Sequence, residues 1–291
     1  MQGLTRGQII KESGGCFYVK TDGAVYPCSA RGKLRKKGEL YVGDYVDVDL
    51  SGDPVIEKLL PRDSMLTRPY VSNIEGIAVV VAVEPKPDFL LTDKLIVGCV
   101  QQQLDAIVCV NKSDLKDSEK LFCKVSDEYG AFAKVVGVSA ASGDGIAELK
   151  ALMRGRFFCL AGQSAVGKSS LINALCGDGL MRTGELGRHM RGRHTTRHVE
   201  IIELADGTRI ADTCGFSRYD IPLFDPATLE SYYVDFDEYR SGCRFRGCTH
   251  TVEECCGVKE AVELGKLPKE RYMRYVQLYD EMTKRWEKRY G

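Results

Sequence analysis

One octapeptide constrains the fold of this chain more than any other feature: residues 162–169 read Gly-Gln-Ser-Ala-Val-Gly-Lys-Ser, the pattern of a phosphate loop. It follows the apolar stretch Phe157–Ala161 and precedes a helix-forming stretch at 170–175. Glycines in such a loop let successive N–H groups and a helix N-terminus face phosphate groups. Lys168 would reach the β- and γ-phosphates as a catalytic cation, and the Ser169 hydroxyl would bind Mg²⁺. We expect a nucleotide to contact Gly162, Gln163, Ser164, Ala165, Val166, Gly167, Lys168, Ser169 and Ser170.

The middle of the chain alternates near-continuous apolar stretches with helix-length segments, which is typical of a parallel sheet covered by helices. The apolar stretches are Ile77–Val83, Ala106–Val110, Lys134–Val138 and Phe157–Ala161. Two further strands, at 199–204 and 208–211, would join through Asp206-Gly207, a strong signal for a tight hairpin. We therefore predict an α/β domain with an antiparallel edge.

The first seventy residues have the pattern of β structure. Short alternating stretches at 16–20, 24–28 and 44–49 are separated by turns that contain glycine. This pattern predicts a small barrel or a sandwich. A run rich in Lys and Arg, Arg31–Lys37, lies between two of these strands. Such a run is either a solvated loop or, in barrels of the oligonucleotide-binding type, a ligand contact.

Composition restricts the class of protein further. Lys and Arg total 41 and Asp and Glu total 41, so any nucleic-acid binding must come from local patches. The longest apolar runs are far shorter than the roughly 20 residues that cross a bilayer. No apolar signal segment follows Met1. We expect a soluble cytoplasmic protein that does not bind membranes.

A second motif predicts which base is bound. Residues 111–114 read Asn-Lys-Ser-Asp directly after a predicted strand. The Asp114 carboxylate can accept two hydrogen bonds from guanine, which adenine cannot supply. Ser139-Ala140, after the next strand, stands where a backbone N–H can meet the guanine oxygen. The predicted base-binding residues are Asn111, Lys112, Ser113, Asp114, Ser139 and Ala140.

A third motif, Asp212-Thr213-Cys214-Gly215, follows the strand at 208–211 and fits Asp-x-x-Gly. In that element the Asp holds Mg²⁺ through water, and the Gly N–H senses the γ-phosphate. The arginine-rich stretch 181–198 lies where a mobile switch loop belongs, and within it we favour Thr196 over Thr195 as a Mg²⁺ ligand. Because Phe216 stands where related enzymes place a water-orienting Gln, His194 is our candidate for positioning the attacking water.

The C-terminal region is polar and helical in pattern, and it contains four of the twelve cysteines. Cys243, Cys248 and His250, with either Cys255 or Cys256, supply the ligand types of a closed tetrahedral Zn²⁺ site. Tyr272, Val276, Tyr279 and Trp286 recur at helical spacing, which predicts a final amphipathic helix packed on its own domain.

These nucleotide motifs resemble those of a GTPase of the TRAFAC class in an altered order. A conventional GTPase runs phosphate loop, Asp-x-x-Gly, Asn-Lys-x-Asp and Ser-Ala, whereas this chain places Asn-Lys-Ser-Asp and Ser-Ala first. The order is that of a circular permutation, which preserves the sheet if the original termini were close. The segment that senses the γ-phosphate then leads directly into the C-terminal region.

The whole chain resembles the RsgA family of GTPases that depend on the small ribosomal subunit, also called YjeQ or YloQ. The resemblance rests on the permuted motifs, Leu66-Thr67-Arg68-Pro69, Gly192-Arg193-His194-Thr195-Thr196 and the spacing Cys243-x4-Cys248-x-His250-x5-Cys256. It implies an N-terminal oligonucleotide-binding-type β-barrel (1–68), a circularly permuted P-loop GTPase domain (69–218) and a C-terminal helical zinc-binding domain (219–291). It also selects Cys256 over Cys255 as the last zinc ligand.

The family implies hydrolysis of GTP to GDP with Mg²⁺, stimulated by the small ribosomal subunit and its 16S rRNA late in maturation of that 30S subunit. We expect a monomer with one structural Zn²⁺. Two residues depart from the family pattern: Cys214 replaces a Pro, and Cys255 replaces a Gly. The alternative function is a non-catalytic, GTP-gated RNA-binding scaffold, and a weaker one is a P-loop ATPase or kinase.

Overall fold

The structure is a computed structural model, and it describes residues 3–32, 34, 40–67, 69–177, 199–213 and 219–290. Its strands and helices form three consecutive regions along the chain: a β-barrel, an α/β sheet and a helical C-terminal region. The predicted architecture is thereby confirmed.

The N-terminal strands close into a five-stranded barrel. They are β1 (Thr5–Ser13), β2 (Cys16–Lys20), β3 (Val25–Ala30), β4 (Tyr45–Asp49) and β5 (Val55–Leu59). The order is β1-β2-β3-β5-β4, and β4 pairs again with β1, which closes the ring. β3 and β5 run parallel, and the other neighbours run antiparallel. Alternate residues fill the interior, among them Val19, Cys28, Val46, Val48 and Ile56, each fully buried.

Two short antiparallel strands, β6 (Met65–Thr67) and β7 (Tyr70–Ser72), connect the barrel to the central sheet. The Asp44 carboxylate is fully buried beside them. It accepts hydrogen bonds from Arg62 Nε at 2.6 Å, Arg62 Nη2 at 2.8 Å and Ser72 Oγ at 2.6 Å. A buried carboxylate is tolerated when it is paired in this way, so these bonds hold the connection against the barrel.

The central sheet has the strand order β10-β9-β8-β11-β13-β12. Its strands are β8 (Gly76–Ala82), β9 (Asp105–Asn111), β10 (Lys134–Gly137), β11 (Phe157–Ala161), β12 (Val199–Glu203) and β13 (Arg209–Thr213). All neighbours are parallel except β12 and β13, which form the predicted antiparallel hairpin. Every residue of β8 and β11 is buried, which explains their continuous apolar sequences.

Helices cover both faces of this sheet because alternate strand residues point to opposite sides. They are α1 (Phe89–Gln102), α2 (Ser118–Tyr129), α3 (Ile146–Met153) and α4 (Lys168–Cys176). Val79 and Val81 of β8 share one apolar cluster with Leu95 of α1. Ala78 and Val80 of the same strand share the other cluster with the buried side chains of α3 and α4.

The barrel continues the central sheet at its antiparallel edge. β1 pairs with β12 at Lys11 and Glu200, whose side chains form an ion pair at 3.2 Å. Arg209 of β13 donates to Gln8 Oε1 at 2.9 Å and to the Tyr45 hydroxyl at 3.1 Å. The barrel is thus attached to the strand that carries the third nucleotide motif.

The C-terminal region contains three 3₁₀ turns followed by two helices. These are Pro226–Tyr232, Val234–Phe236, Arg240–Gly242, α5 (Gly257–Glu263) and α6 (Lys269–Tyr290). The predicted final helix is confirmed. Its buried face consists of Arg271, Tyr275, Leu278 and Met282, whereas the predicted residues Tyr272, Val276, Tyr279 and Trp286 are only half-buried.

Candidate functional site

The phosphate loop adopts the curled backbone that its sequence predicts, between β11 and α4. Gly162 has φ 138°, and a Cβ there would lie 2.2 Å from the Val80 carbonyl oxygen. Gly167 has φ 97°, and a Cβ there would lie 2.3 Å from Asn111 Nδ2. Ala165 also has a positive φ of 65°, which is unfavourable for a residue with a Cβ. The loop is therefore a strained segment held by its neighbours.

Lys168, the first residue of α4, directs its ammonium group back into this loop. Nζ donates to the carbonyl oxygens of Gly162 at 2.7 Å and Gln163 at 2.5 Å. Burial lowers the pKa of Lys168. The ammonium group is partly desolvated and is held by two backbone carbonyl oxygens, so it is placed to pair with phosphate oxygens.

The Asn-Lys-Ser-Asp motif lies at the end of β9, two strands from the phosphate loop, and contacts it directly. Asn111 is almost fully buried, and its Nδ2 donates to the Val166 carbonyl oxygen at 2.8 Å. Lys112 Nζ donates to the Ala165 carbonyl oxygen at 3.1 Å. The structure thus brings together two motifs that are separated by some fifty residues in the chain.

The Asp114 carboxylate, which is predicted to recognise the base, is held by the Ser-Ala motif after β10. Ser139 Oγ donates to Asp114 Oδ1 at 2.5 Å and accepts from the N–H groups of Ala141 and Ser142. The Ala140 N–H lies 3.4 Å from Asn111 Oδ1. These bonds fix the orientation of Asp114 and place the Ser139-Ala140 backbone beside the Asn-Lys-Ser-Asp loop.

Asp212 lies near the end of β13, which pairs in parallel with β11. It is half-buried, and burial, aided by the nearby Glu200, raises the pKa of its carboxyl group. Gly215, His194, Thr195 and Thr196 lie outside the described residues. Of the two Asp-x-x-Gly residues that are predicted to act on Mg²⁺ or the γ-phosphate, the described structure therefore contains Asp212 but not Gly215.

The four described motif segments share one edge of the sheet. The Asn-Lys-Ser-Asp motif follows β9, Ser-Ala follows β10, the phosphate loop follows β11 and Asp212 stands near the end of β13. Carboxyl ends of parallel strands meet at a common edge, which is where open α/β sheets bind ligands. Asp212 and Ser169 offer the hard oxygen ligands that suit Mg²⁺.

A separate cluster in the C-terminal region has the ligands of a metal site. It offers three Cys Sγ atoms and one His ring nitrogen, which all lie within 4.8 Å of one another. They belong to Cys243, Cys248, His250 and Cys256. The Cys243 and Cys256 sulfurs are 3.8 Å apart, and His250 Nδ1 is 3.5 Å from Cys243 Sγ and 3.2 Å from Cys256 Sγ. Cys255 is exposed and does not belong to this cluster.

This geometry fits zinc. Typical Zn–S and Zn–N bonds at tetrahedral angles give edges of about 3.8 Å between two sulfurs and about 3.5 Å between sulfur and nitrogen. Burial raises the pKa of the Cys248 thiol to about 12. A dication is the natural partner for such a buried set of sulfur ligands. The donor set is compatible with one structural Zn²⁺.

The segment that contains the four ligand residues, 243–256, is called the zinc-ligand loop below. Residues that are not ligands also hold it in place through hydrogen bonds. Tyr272 of α6 donates its hydroxyl to the His250 carbonyl oxygen at 2.8 Å, and the Tyr275 hydroxyl donates to the Thr249 carbonyl oxygen. Glu253 accepts from the Thr249 N–H at 2.7 Å and the Thr251 N–H at 3.0 Å. Although desolvation opposes it, the hydrogen bond from the Thr249 hydroxyl at 2.7 Å, together with these N–H bonds, lowers the pKa of Glu253 to about 2.

One buried ionic cluster that joins α6 to the central domain was missed by sequence reasoning. Arg271 is 2% exposed and donates to Asp93 at 2.7 Å and to Asp235 at 2.7 Å. Arg274 donates to Glu128 at 2.6 Å and also pairs with Asp93, which is fully buried. The available signal was Asp93 itself, a carboxylate within the largely apolar sequence stretch 89–99.

Among the described residues, none of the helices is both long enough and apolar enough to span a membrane.

Comparison with known proteins gives consistent results over nearly the full chain. The sequence profile of the RsgA GTPase family matches residues 59–222, and that of the RsgA N-terminal domain matches residues 6–54. The small ribosomal subunit biogenesis GTPase RsgA of Agathobacter rectalis is 41% identical over 96% of this chain and 98% of its own length. The RsgA of Geobacillus kaustophilus is 39% identical over 97% of this chain and 99% of its own.

Two solved structures resemble the fold. YjeQ from Thermotoga maritima superposes with a TM-score of 0.81 at 32% identity, over 96% of this chain and 99% of that one. YloQ, described as a circularly permuted GTPase, gives a TM-score of 0.78 at 30% identity, over 98% of this chain and 96% of that one.

One edge of the parallel sheet carries a phosphate loop, an Asn-Lys-x-Asp loop and an Asp-x-x-Gly carboxylate. These motifs, which follow one another along the chain in permuted order, define the class of circularly permuted P-loop GTPases. The fused barrel and the cluster of three cysteines and one histidine narrow this class further. The chain belongs to the RsgA GTPase family.

Proposed function

We propose that this GTPase binds guanine nucleotides at the sheet edge just described and hydrolyses GTP to GDP and phosphate during maturation of the small (30S) ribosomal subunit. The observation that carries the proposal is the convergence of the four motif segments on that edge, with Asn111 and Val166 in direct contact. The names of the curated relatives, which refer to small-subunit biogenesis, support the cellular role.

In this proposal the base and the phosphates are bound by different parts of the edge. Asp114 accepts two hydrogen bonds from guanine, and Lys112 packs along the purine face beside Ser113. The Ala140 N–H donates to the guanine oxygen. The loop N–H groups from Gly162 to Ser170 surround the phosphates, with Lys168 as the paired cation.

Hydrolysis would proceed by positioning and charge stabilisation. Water attacks the γ-phosphorus, the bond from the γ-phosphorus to the bridging oxygen breaks, and GDP leaves with that oxygen. Mg²⁺ held by Ser169, Thr196 and Asp212 would supply positive charge at the β- and γ-phosphate oxygens. His194 would orient the water, and the Gly215 N–H would sense the γ-phosphate.

We further propose that the partners are the small subunit and its 16S rRNA. The basic stretch Arg31–Lys37 and the zinc-ligand loop are the proposed RNA contacts. In that loop Phe245 is 51% exposed, and the Arg244 guanidinium lies 5.6 Å from its ring centroid. Aromatic and cationic side chains in this arrangement suit stacking on unpaired bases and contact with phosphates.

Three functional units would divide this work: residues 1–68 as the RNA-binding barrel, 69–218 as the GTPase and 219–291 as the zinc-binding unit. The last would carry one structural Zn²⁺ at Cys243, Cys248, His250 and Cys256. The protein would act as a cytoplasmic monomer. GTP would favour the subunit-bound state, and hydrolysis would release the protein.

The deciding experiment measures GTP turnover by the purified chain alone and with small ribosomal subunits, for the wild type and for His194→Ala. We expect strong stimulation by subunits, and a marked reduction of the stimulated rate by the substitution. Absence of stimulation would remove the support for the ribosomal role while leaving nucleotide binding intact. If turnover were absent in every condition but RNA affinity still depended on GTP, the scaffold alternative would be correct.

A further inference from the structure

The side chain of Gln163, the second residue of the phosphate loop, reaches to the segment Glu84–Asp88, which follows the neighbouring strand β8. Its Nε2 donates to the Lys86 carbonyl oxygen at 3.1 Å. Its Oε1 accepts from the Asp88 N–H at 2.8 Å. Both ends of one carboxamide are therefore used to join two loops that are 75 residues apart in the chain.

The same segment is also bonded to the base-recognition loop. Lys112 Nζ donates to the Glu84 carbonyl oxygen at 2.6 Å as well as to the Ala165 carbonyl oxygen at 3.1 Å. The segment follows β8, which lies between β9 and β11 in the sheet. It consequently lies between the two nucleotide loops, with two hydrogen bonds to the phosphate loop and one to the Asn-Lys-Ser-Asp loop.

The far end of the segment is firmly anchored. Asp88 is the N-cap of α1, and its carboxylate accepts from the Leu91 N–H at 2.9 Å. Leu91 and Leu95 of α1 are buried, and Asp93 holds the two arginines of α6. Gln163 thus fastens the phosphate loop to a helix that is fixed on the core and on the C-terminal region.

The phosphate loop needs such a restraint because its backbone is unfavourable. Gly162, Ala165 and Gly167 all have positive φ, and at Ala165 this conformation carries a steric cost. In a loop that binds phosphate through its N–H groups, loss of order before binding lowers the affinity. A side-chain bond that keeps the loop curled therefore contributes to nucleotide binding without touching the nucleotide.

We infer that Gln163 is a positioning residue: its carboxamide preorganises the phosphate loop by bonding it to the Lys86 and Asp88 backbone, and it thereby slows nucleotide release. The inference rests on the proposed guanine-nucleotide site. It assigns to this side chain a role distinct from that of the loop N–H groups.

The test compares dissociation of a fluorescent GDP from the full zinc-loaded chain by stopped flow. Gln163→Ala removes the side chain, and Gln163→Met keeps its length while removing both hydrogen bonds. We expect both to release the nucleotide about tenfold faster, which is ~1.4 kcal/mol, the size of one or two net hydrogen bonds. Gln277→Ala, an exposed glutamine on α6, is the matched control and should release at the wild-type rate.

Amide hydrogen exchange gives a second readout that general destabilisation would not mimic. The Asp88 amide loses its acceptor in both Gln163 variants, so it should exchange faster while amides of the buried strand β8 keep their wild-type rates. Wild-type release in either Gln163 variant, or faster release in Gln163→Ala alone, would overturn the inference. Absence of saturable GDP binding by the wild type would overturn the proposed site first, before any variant is compared.

Discussion

Asn111 and Val166 form a buried hydrogen bond that joins the Asn-Lys-Ser-Asp loop to the phosphate loop, with Nδ2 donating to the carbonyl oxygen at 2.8 Å; the more exposed Lys112 Nζ adds a second bond to the Ala165 carbonyl oxygen. Asn111 is 1% exposed, so water cannot replace this bond. This amide consequently helps to hold the two halves of the proposed nucleotide site in one geometry without needing to touch the ligand.

Asn111→Ala should therefore weaken GDP binding, because the Val166 carbonyl loses its partner and the two loops lose the buried bond that links them. We expect affinity to fall by about 10- to 100-fold, or ~1.4–2.8 kcal/mol. Equilibrium titration with fluorescent GDP measures it. Asn173→Ala, at an exposed position on α4, is the control; equal affinities in both variants would refute the linking role.

Asp114→Asn should change which base is bound. An amide cannot accept both guanine hydrogen bonds, so we expect GDP affinity to fall by about 100-fold or more and the preference over ADP to disappear. Xanthosine diphosphate, whose ring presents an oxygen to the new amide, should bind better than GDP. Competition titrations with the three nucleotides decide this. Asp117→Asn, on the same loop but exposed, should keep the wild-type preference.

Cys256→Ser and Cys255→Ser form a matched pair at adjacent positions. Only Cys256 lies in the ligand cluster, so we expect its replacement to abolish stoichiometric zinc and to lower the thermal unfolding midpoint, while Cys255→Ser retains both. Zinc content by mass spectrometry and a melting curve measure the two effects. Equal zinc loss in the two variants would mean that Cys255 serves as a ligand.

Arg271→Met should be strongly destabilising even though Met fits an apolar site. The substitution leaves Asp93 and Asp235 buried without this partner, and breaking a buried pair typically costs about 3–5 kcal/mol. Urea unfolding followed by fluorescence provides the measurement. On the same helix Arg289→Met, in the exposed last turn, should stay within about 0.5 kcal/mol of wild type. A loss below 1 kcal/mol for Arg271→Met would contradict the role of this cluster.

Gly98→Ala should destabilise the protein, although Ala is the better helix former by about 1 kcal/mol. A Cβ on Gly98 would lie 2.3 Å from the buried Tyr219 hydroxyl oxygen, so Tyr219 must move. We expect a net loss of about 1–3 kcal/mol. Adding Tyr219→Phe should recover part of it, which a double-mutant cycle by chemical denaturation would detect. Strict additivity would show that the two residues do not clash.

Much of the nucleotide site could be predicted because its motifs are local. The phosphate loop depends on glycines at fixed spacing, and the strand before it is apolar because both of its faces are buried. The bonds that unite the site could not be predicted in this way. Asn111 to Val166 and Gln163 to Asp88 connect segments whose proximity exists only once β8, β9 and β11 are neighbours.

The final helix shows where pattern analysis reaches its limit. Hydrophobic spacing predicted the helix correctly, and its residues Tyr272, Val276 and Tyr279 do pack against the core, but they are only partly buried. The fully buried residues include Arg271, Tyr275 and Leu278 instead, each one position before a residue that the pattern predicted to pack. An arginine does not count as apolar, so the pattern shifted toward the aromatic neighbours. The carboxylates of Asp93 and Asp235, with the aromatic rings around the guanidinium, make its burial favourable.

By itself the sequence determined the three regions, the permuted order of the nucleotide motifs and the residue types of the zinc cluster, because each depends on spacing within a short segment. The tertiary structure decided what depends on distance between segments. It closed the barrel through β1 and β4, brought the side chains of Cys243, Cys248, His250 and Cys256 together and paired Arg271 with Asp93. Burial and electrostatic pairing act through space, so only the folded chain brings these partners together.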